Sequence, residues 1–359
     1  MKYRPLLPAV LLFFVCLSAC SSQGHEVRLT PAVPAEVGRA WPGRDWQTAA
    51  PEEQGLDPNL LGQILPAIEE QQISLHSLLV IRHGYVVFEA YFDPYKADAR
   101  HELYSVTKSF TSALVGIAVD QGAIQNLDQT VLGFFPEQSF ANIDARKEVM
   151  TVRHLLTMTS GLDWLEGDAT YRAMYFSRDW AGYVFDLPML EDPGTRFEYC
   201  SGCSHLLSAI LNETTGTNVL AFAEKNLFRP IGIRDVEWET DAQGIPIGGW
   251  GLQLTPREMA RLGYLYLNGG RWNGQQVVPT EWVEDSAHAQ VETGGDLAYG
   301  YQWWIYPSHG GYAALGRAGQ TILVFPDLDL VIVTTANIAD HEPIFELVDE
   351  YILPAVDMH

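Results

Sequence analysis

An α+β sandwich is the fold class this sequence predicts: one antiparallel sheet built from both ends of the chain, flanked by helices, with a mostly helical part inserted. Three observations predict it. Ser77–Arg82 and Tyr85–Phe92 are apolar, β-branched and aromatic runs joined by His83-Gly84, the pattern of a hairpin. Strands return near the other end at Tyr312–Leu315, Thr321–Phe325 and Leu330–Thr335, the last two joined by a turn over Pro326–Asp329. Between these, from Asp128 to about Val291, the signals are helices and long loops rich in Gly, Pro and Trp. The expected division is a leader over 1–19, a tether over 20–50, a sheet-containing part from 51–104 and 295–359, and a mostly helical part over 105–294. No internal repeat is visible.

Taken in order, Lys2 and Arg4 form a basic start, and Leu6 to Leu17 is an apolar run too short to span a membrane comfortably. Leu17-Ser18-Ala19-Cys20 resembles a bacterial lipobox, in which the cysteine is acylated and becomes the first residue. The competing reading is an ordinary cleaved signal peptide. The lipobox reading makes Cys20 the lipidation site of an exported, periplasmic protein anchored to a membrane, and Ser21 points to the outer membrane. No later stretch reaches about 18 uninterrupted apolar residues. Ser21 to Ala50 carries Pro31, Pro34 and Pro42 without periodicity, as a tether does. Asn59 to Gln72 places Leu60, Leu61, Ile64, Leu65 and Ile68 at helical spacing, with a kink expected at Pro66. The hairpin follows, then a helix over Ser105–Val119 that is apolar nearly all round and hence buried. Pro343 to Leu353 reads as a closing helix.

The chain has a formal charge of -23 at pH 7, which argues against nucleic acid and anionic lipid as partners. Besides Cys16 and Cys20, only Cys200 and Cys203 remain. This Cys-x-x-Cys can close a small disulfide or stay as two buried thiols, and it lacks the strand-helix context of a redox motif. The 10 histidines are scattered without metal-ligand spacing, so no metal is expected. There is no P-loop and no Gly-x-Gly-x-x-Gly, so no cofactor is expected either. Nothing in the sequence sets an oligomeric state.

Chemistry points to Ser105-Val106-Thr107-Lys108. Residues three apart share a helix face, so the Ser105 hydroxyl and the Lys108 amine can meet. A serine hydroxyl is a poor nucleophile until a neighbouring base takes its proton. Lysine can be that base only where burial and a positive surrounding lower its pKa, and a buried helix N-terminus supplies both. A capped helix with an exposed lysine is the alternative, but a lysine in the first turn of a buried helix is costly without a task.

Further segments join this motif in order: Thr151-Val-Arg-His-Leu-Leu-Thr-Met-Thr-Ser-Gly-Leu162, Pro193-Gly-Thr-Arg-Phe-Glu-Tyr-Cys-Ser201, Gly249-Trp-Gly-Leu-Gln-Leu-Thr-Pro-Arg-Glu-Met-Ala260, Tyr299-Gly-Tyr-Gln-Trp-Trp304 and Gly316-Arg-Ala-Gly-Gln320. With them, the chain from about Trp46 to Pro354 resembles the serine β-lactamase and penicillin-recognising family. Within that family it is most similar to the class C β-lactamase-related esterases and amidases, 6-aminohexanoate-dimer hydrolases included. The resemblance implies a β-lactamase/transpeptidase-like fold in which both parts form one catalytic domain. It implies a small-molecule ester or amide substrate and no cofactor. It also implies a nucleophile at Ser105, its base at Lys108, and Tyr199 of Tyr199-Cys200-Ser201 as a second proton carrier. The backbone amides of Ser105 and Arg317 would form the oxyanion hole. Ser201, Gly316, Trp164 and Tyr171 would border the substrate cleft.

One departure matters. Where the family offers Lys-Thr-Gly or His-x-Gly, Ala314-Leu315-Gly316 keeps only the glycine. The basic residue that would hold a substrate carboxylate is missing, which disfavours β-lactamase and D-amino-acid peptidase activity. Two other readings compete: an α/β-hydrolase, for which Gly202-Cys-Ser-His-Leu206 is a near miss, and a non-catalytic wall-binding lipoprotein that kept the fold.

Overall fold

The structure, a computed structural model, describes residues 39–356. The leader, Cys20 and the tether up to residue 38 lie outside the described residues. A nine-stranded sheet carries the molecule. Its strands are β1 (Gln47–Thr48), β2 (Leu75–Arg82), β3 (Tyr85–Tyr91), β4 (Val291–Glu292), β5 (Ala298–Tyr299), β6 (Trp304–Tyr306), β7 (Gly311–Gly316), β8 (Gln320–Phe325) and β9 (Leu330–Ala336). Their spatial order is β1-β3-β2-β9-β8-β7-β6-β5-β4. The two ends of the chain meet at its centre, where β2 pairs antiparallel with β9 and Val80 faces Ile332.

The sheet is mixed rather than wholly antiparallel. Strand β1 runs parallel to β3, with Gln47 opposite Tyr85. This also corrects the extent of the tether, because residues 39–50 belong to the folded body. Trp46 is buried, and its indole N–H donates to the Arg257 carbonyl at 2.9 Å. The buried Arg261 guanidinium donates to the carbonyls of Gly43 at 3.1 Å and Arg44 at 2.9 Å. A proline-bearing stretch read as linker is held by one large aromatic and one buried cation.

Both faces of the sheet are covered, which is why its central strands are apolar throughout instead of alternating. Leu79, Ile81, Ile322, Val324, Val331 and Val333 face the helical side. Leu78, Val80, Leu323, Leu330 and Ile332 face the helices from both termini. The predicted helix over Asn59–Gln72 is two pieces, Pro58–Leu61 and Ile64–Glu70. The break precedes Pro66, which sits in the first turn of the second piece, where a missing N–H breaks no intrahelical bond.

The buried helix is Thr107–Asp120, and every residue from Thr107 to Ala118 is buried. It packs against a second long helix, Ser201–Thr214. Gln302 joins the two parts of the molecule. Its side chain donates to the Leu156 carbonyl at 2.8 Å and accepts from Ser204 at 2.6 Å, and its own carbonyl accepts from Ser109 at 2.7 Å. Among the described residues no helix is long and apolar enough to cross a membrane.

Candidate active site

The site forms where the chain enters the buried helix. Ser105 is not that helix's first residue: it lies in a 3-10 turn, Tyr104–Val106, one step before it. Tyr104 holds a left-handed backbone (φ 46°), a conformation costly for a bulky residue and often found where a functional side chain must be presented. Lys108 follows in the first helical turn and is almost fully buried, at 1% exposure.

Three acceptors surround its amine. Nζ donates to Ser105 Oγ at 3.0 Å, to Ser201 Oγ at 2.9 Å and to the Gly249 carbonyl at 2.9 Å. Burial pulls the Lys108 pKa down to about 8, with Glu166 acting in the opposite direction. The geometry of the Gly249 carbonyl depends on its neighbour: a Cβ on Gly248 would stand 2.1 Å from the Ser204 carbonyl, so only glycine lets this segment lie against the Ser201–Thr214 helix.

Tyr199 comes from the loop that leads into that helix. The Ser105 hydroxyl acts on its phenol, and its ring centroid is 4.8 Å from Lys108 Nζ. Burial pushes the phenol above its ordinary value. The direction is opposite to that of a tyrosine poised as an anion, so Tyr199 is a neutral phenol at ordinary pH. Cys200 and Cys203 are disulfide-bonded at the start of the helix.

Glu166, which carries no spacing signal in the sequence, is the main addition. Its carboxylate accepts from Ser201 Oγ at 2.6 Å, from the Ser201 amide at 2.9 Å and from the Trp164 indole at 2.8 Å. The single Ser201 proton therefore goes to Glu166, and the serine oxygen is left to accept from Lys108. A second addition is His341, whose Nε2–H donates to the Gly316 carbonyl at 2.9 Å. A planar trans peptide points its C=O and N–H in opposite directions, so this bond sets the direction of the Arg317 amide.

A cleft of about 490 Å³ opens over these groups, lined by Ser105, Tyr199, Ser201, Glu166, Tyr171 and Trp250 together with Glu102, Tyr104, Gly167, Arg172 and Arg317. Glu102 is pushed upward in pKa by burial and by the Glu239 carboxylate, and Arg317 opposes this. Two expected cleft residues stand behind its wall. Trp164 is 3% exposed and supports Glu166 from the core. Gly316 is buried against the chain just before Ser105, where a Cβ would lie 2.3 Å from the Leu103 carbonyl. Arg317 lies at the rim with an exposed side chain, and among the described residues no group of His, Cys, Asp or Glu could hold a metal ion.

A Ser-x-x-Lys pair and a tyrosine, at the junction of a large sheet and an inserted helical part, define the penicillin-recognising class of serine hydrolases. The chain belongs to the Beta-lactamase family, whose model matches residues 60–357. It is 27% identical over 316 residues to the 6-aminohexanoate-dimer hydrolase of Paenarthrobacter ureafaciens, covering 81% of this chain and 80% of that protein. Among solved structures, a putative 6-aminohexanoate-dimer hydrolase from Bacillus anthracis superposes with a TM-score of 0.72 at 22% identity, covering 86% of each chain. EstCE1, a hydrolase with promiscuous acyltransferase activity, gives a TM-score of 0.70 at 18% identity over 84% of this chain and 99% of its own.

Proposed function

We propose that the protein is an exported serine hydrolase that cleaves a small ester or amide through an acyl-enzyme on Ser105. The observation that carries this reading is the buried Lys108 amine, 3.0 Å from Ser105 Oγ with its pKa lowered to about 8. Near neutral pH roughly a tenth of such an amine is unprotonated, enough for a general base. Ser105 Oγ attacks the substrate carbonyl while Lys108 takes its proton. The amides of Ser105 and Arg317 hold the oxyanion. Tyr199, a neutral phenol beside Ser105 and Lys108, gives its proton to the leaving group and is reprotonated from Lys108. Water then attacks the acyl carbon and restores Ser105.

The curated relative's name, a 6-aminohexanoate-dimer hydrolase, supports a small hydrolysable ester or amide as the substrate class. Ala314 is a buried methyl on β7 and offers no cation for a substrate carboxylate, which supports esters over β-lactams. Esters are expected to exceed penicillins and cephalosporins by at least about tenfold in kcat/KM, about 1.4 kcal/mol of transition-state preference.

Ser105→Ala is expected to abolish turnover and fluorophosphonate labelling while thermal stability stays nearly unchanged. Lys108→Ala and Tyr199→Phe are each expected to lower kcat by roughly a hundredfold. Retained labelling in the Ser105 variant, or near-normal rates in both others on an ester and an amide, would overturn the mechanism.

A further inference from the structure

The cleft does not end at its lining residues. Tyr171 and Arg172, on the helix Ala169–Phe176, border it, and Tyr175 and Phe176 lie one turn further along the same helix. Side chains four apart on a helix are neighbours about 6 Å along its axis, so the four form one continuous surface. That surface becomes apolar as it leaves the cleft. Tyr175 is 55% exposed and Phe176 83% exposed, an unusual degree for an aromatic ring with no partner surface. Leu165, 54% exposed, directly precedes the cleft residue Glu166.

Ring contacts connect this shelf to the site. Tyr171 packs on Trp250 with centroids 5.2 Å apart, Trp250 on Trp180 at 5.5 Å, and Trp180 on Tyr175 at 5.5 Å. Trp180 and Trp250 are buried beneath the helix, so the shelf rests on a rigid base. Phe176 closes the series edge-on to Tyr175 at 5.6 Å. A ladder of rings thus runs from the cleft wall out to solvent.

We propose that this shelf is an extended substrate subsite that takes an unbranched apolar tail of medium length, about six to ten carbons, attached to the scissile ester or amide. The inference rests on the hydrolase reading above and adds the substrate class. Each methylene laid on the rings leaves water, so preference rises with chain length until the tail passes Phe176. Continuity with the cleft identifies the occupant: a tail bonded to the reacting carbonyl is held where the shelf begins, whereas a separate partner is not.

The test is a series of p-nitrophenyl esters from acetate to dodecanoate, with the protein and its Tyr175→Ser/Phe176→Ser variant, both changes being on exposed side chains. Octanoate is expected to exceed acetate by at least about tenfold in kcat/KM in the unaltered protein. The double variant is expected to lose most of that advantage while acetate hydrolysis stays unchanged. A flat profile, an advantage that survives the substitutions, or an equal loss on acetate overturns the proposal. Binding of the same esters to Ser105→Ala, followed by calorimetry, separates the two readings. If no ester is hydrolysed but octanoate still binds at least about tenfold tighter than acetate, and this depends on Tyr175 and Phe176, the subsite stands and the hydrolase reading falls. If binding is indifferent to chain length, the subsite falls. Loss of binding to phospholipid vesicles in the double variant, with an unchanged ester profile, assigns the shelf to a bilayer and also overturns the proposal.

Discussion

At the scale of single residues, the direction of each proton depends on who holds the neighbouring one. Glu166 never touches Lys108 directly, yet by taking the Ser201 proton it makes Ser201 an acceptor for the amine. Its negative charge favours the ammonium and so opposes the lowering caused by burial. Activity that needs the free amine rises with pH through the Lys108 pKa, near 8. Glu166→Gln removes the charge and keeps a side chain that can hydrogen-bond, so the amine loses its proton more readily. The acid limb of the kcat/KM profile is expected to move to lower pH, and an unmoved limb would show that Glu166 does not set the base. His341 acts through geometry instead. Burial lowers its pKa, and the neutral ring serves because only an Nε2–H is required to fix the Gly316 carbonyl. His341→Ala is expected to lower kcat on esters about tenfold with KM little changed, since a loosened oxyanion donor costs less than a deleted one. His341→Gln, which keeps a donor, is expected to recover part of the loss. Equal changes in KM and kcat would point to general disruption.

At the scale of elements, the site is an edge between β7 and the turn that carries Ser105. Gly316 brings them together, because a Cβ there would lie 2.3 Å from the Leu103 carbonyl. Gly316→Ala is expected to cost about 1–3 kcal/mol in chemical denaturation, the range for overpacking, and to lower kcat as the Arg317 amide is displaced. An unchanged midpoint with full activity would show that the strand edge has room to give. The central strands, the turn at His83-Gly84 and the buried helix were legible because apolar runs and turn residues are local signals. That Ser105 and Lys108 meet and that Tyr199 stands beside them was legible because spacing and flanking motifs are local too; their catalytic roles are proposed. Glu166 and His341 were not. One is an acid in a polar loop and the other a lone histidine, and each matters through a contact with a residue distant in sequence. Trp164 misled for the reverse reason: its motif lies at the cleft, but its ring points into the core.

At the scale of the whole molecule, β1 and Trp46 place residues 39–50, which proline content assigned to a tether, in the folded body. The proposed anchor at Cys20 predicts that the chain is recovered with membranes and that Cys20→Ser releases it to the periplasm; an unmodified N-terminus at Cys20 by mass spectrometry would refute the acylation. The proposed site draws its residues from widely separated stretches: Ser105 and Lys108 from the entrance of one helix, Glu166 and Tyr199 from the inserted part, Arg317 from the end of β7, and His341 from the closing segment. Ser105 and Lys108 thus come well before the Gly316–Arg317 peptide and His341 in the order of synthesis. A chain that has not yet packed β7 and the segment around His341 against the helix entrance carries the serine and the lysine without the rest of the proposed site. Turnover would report that these distant stretches have come together.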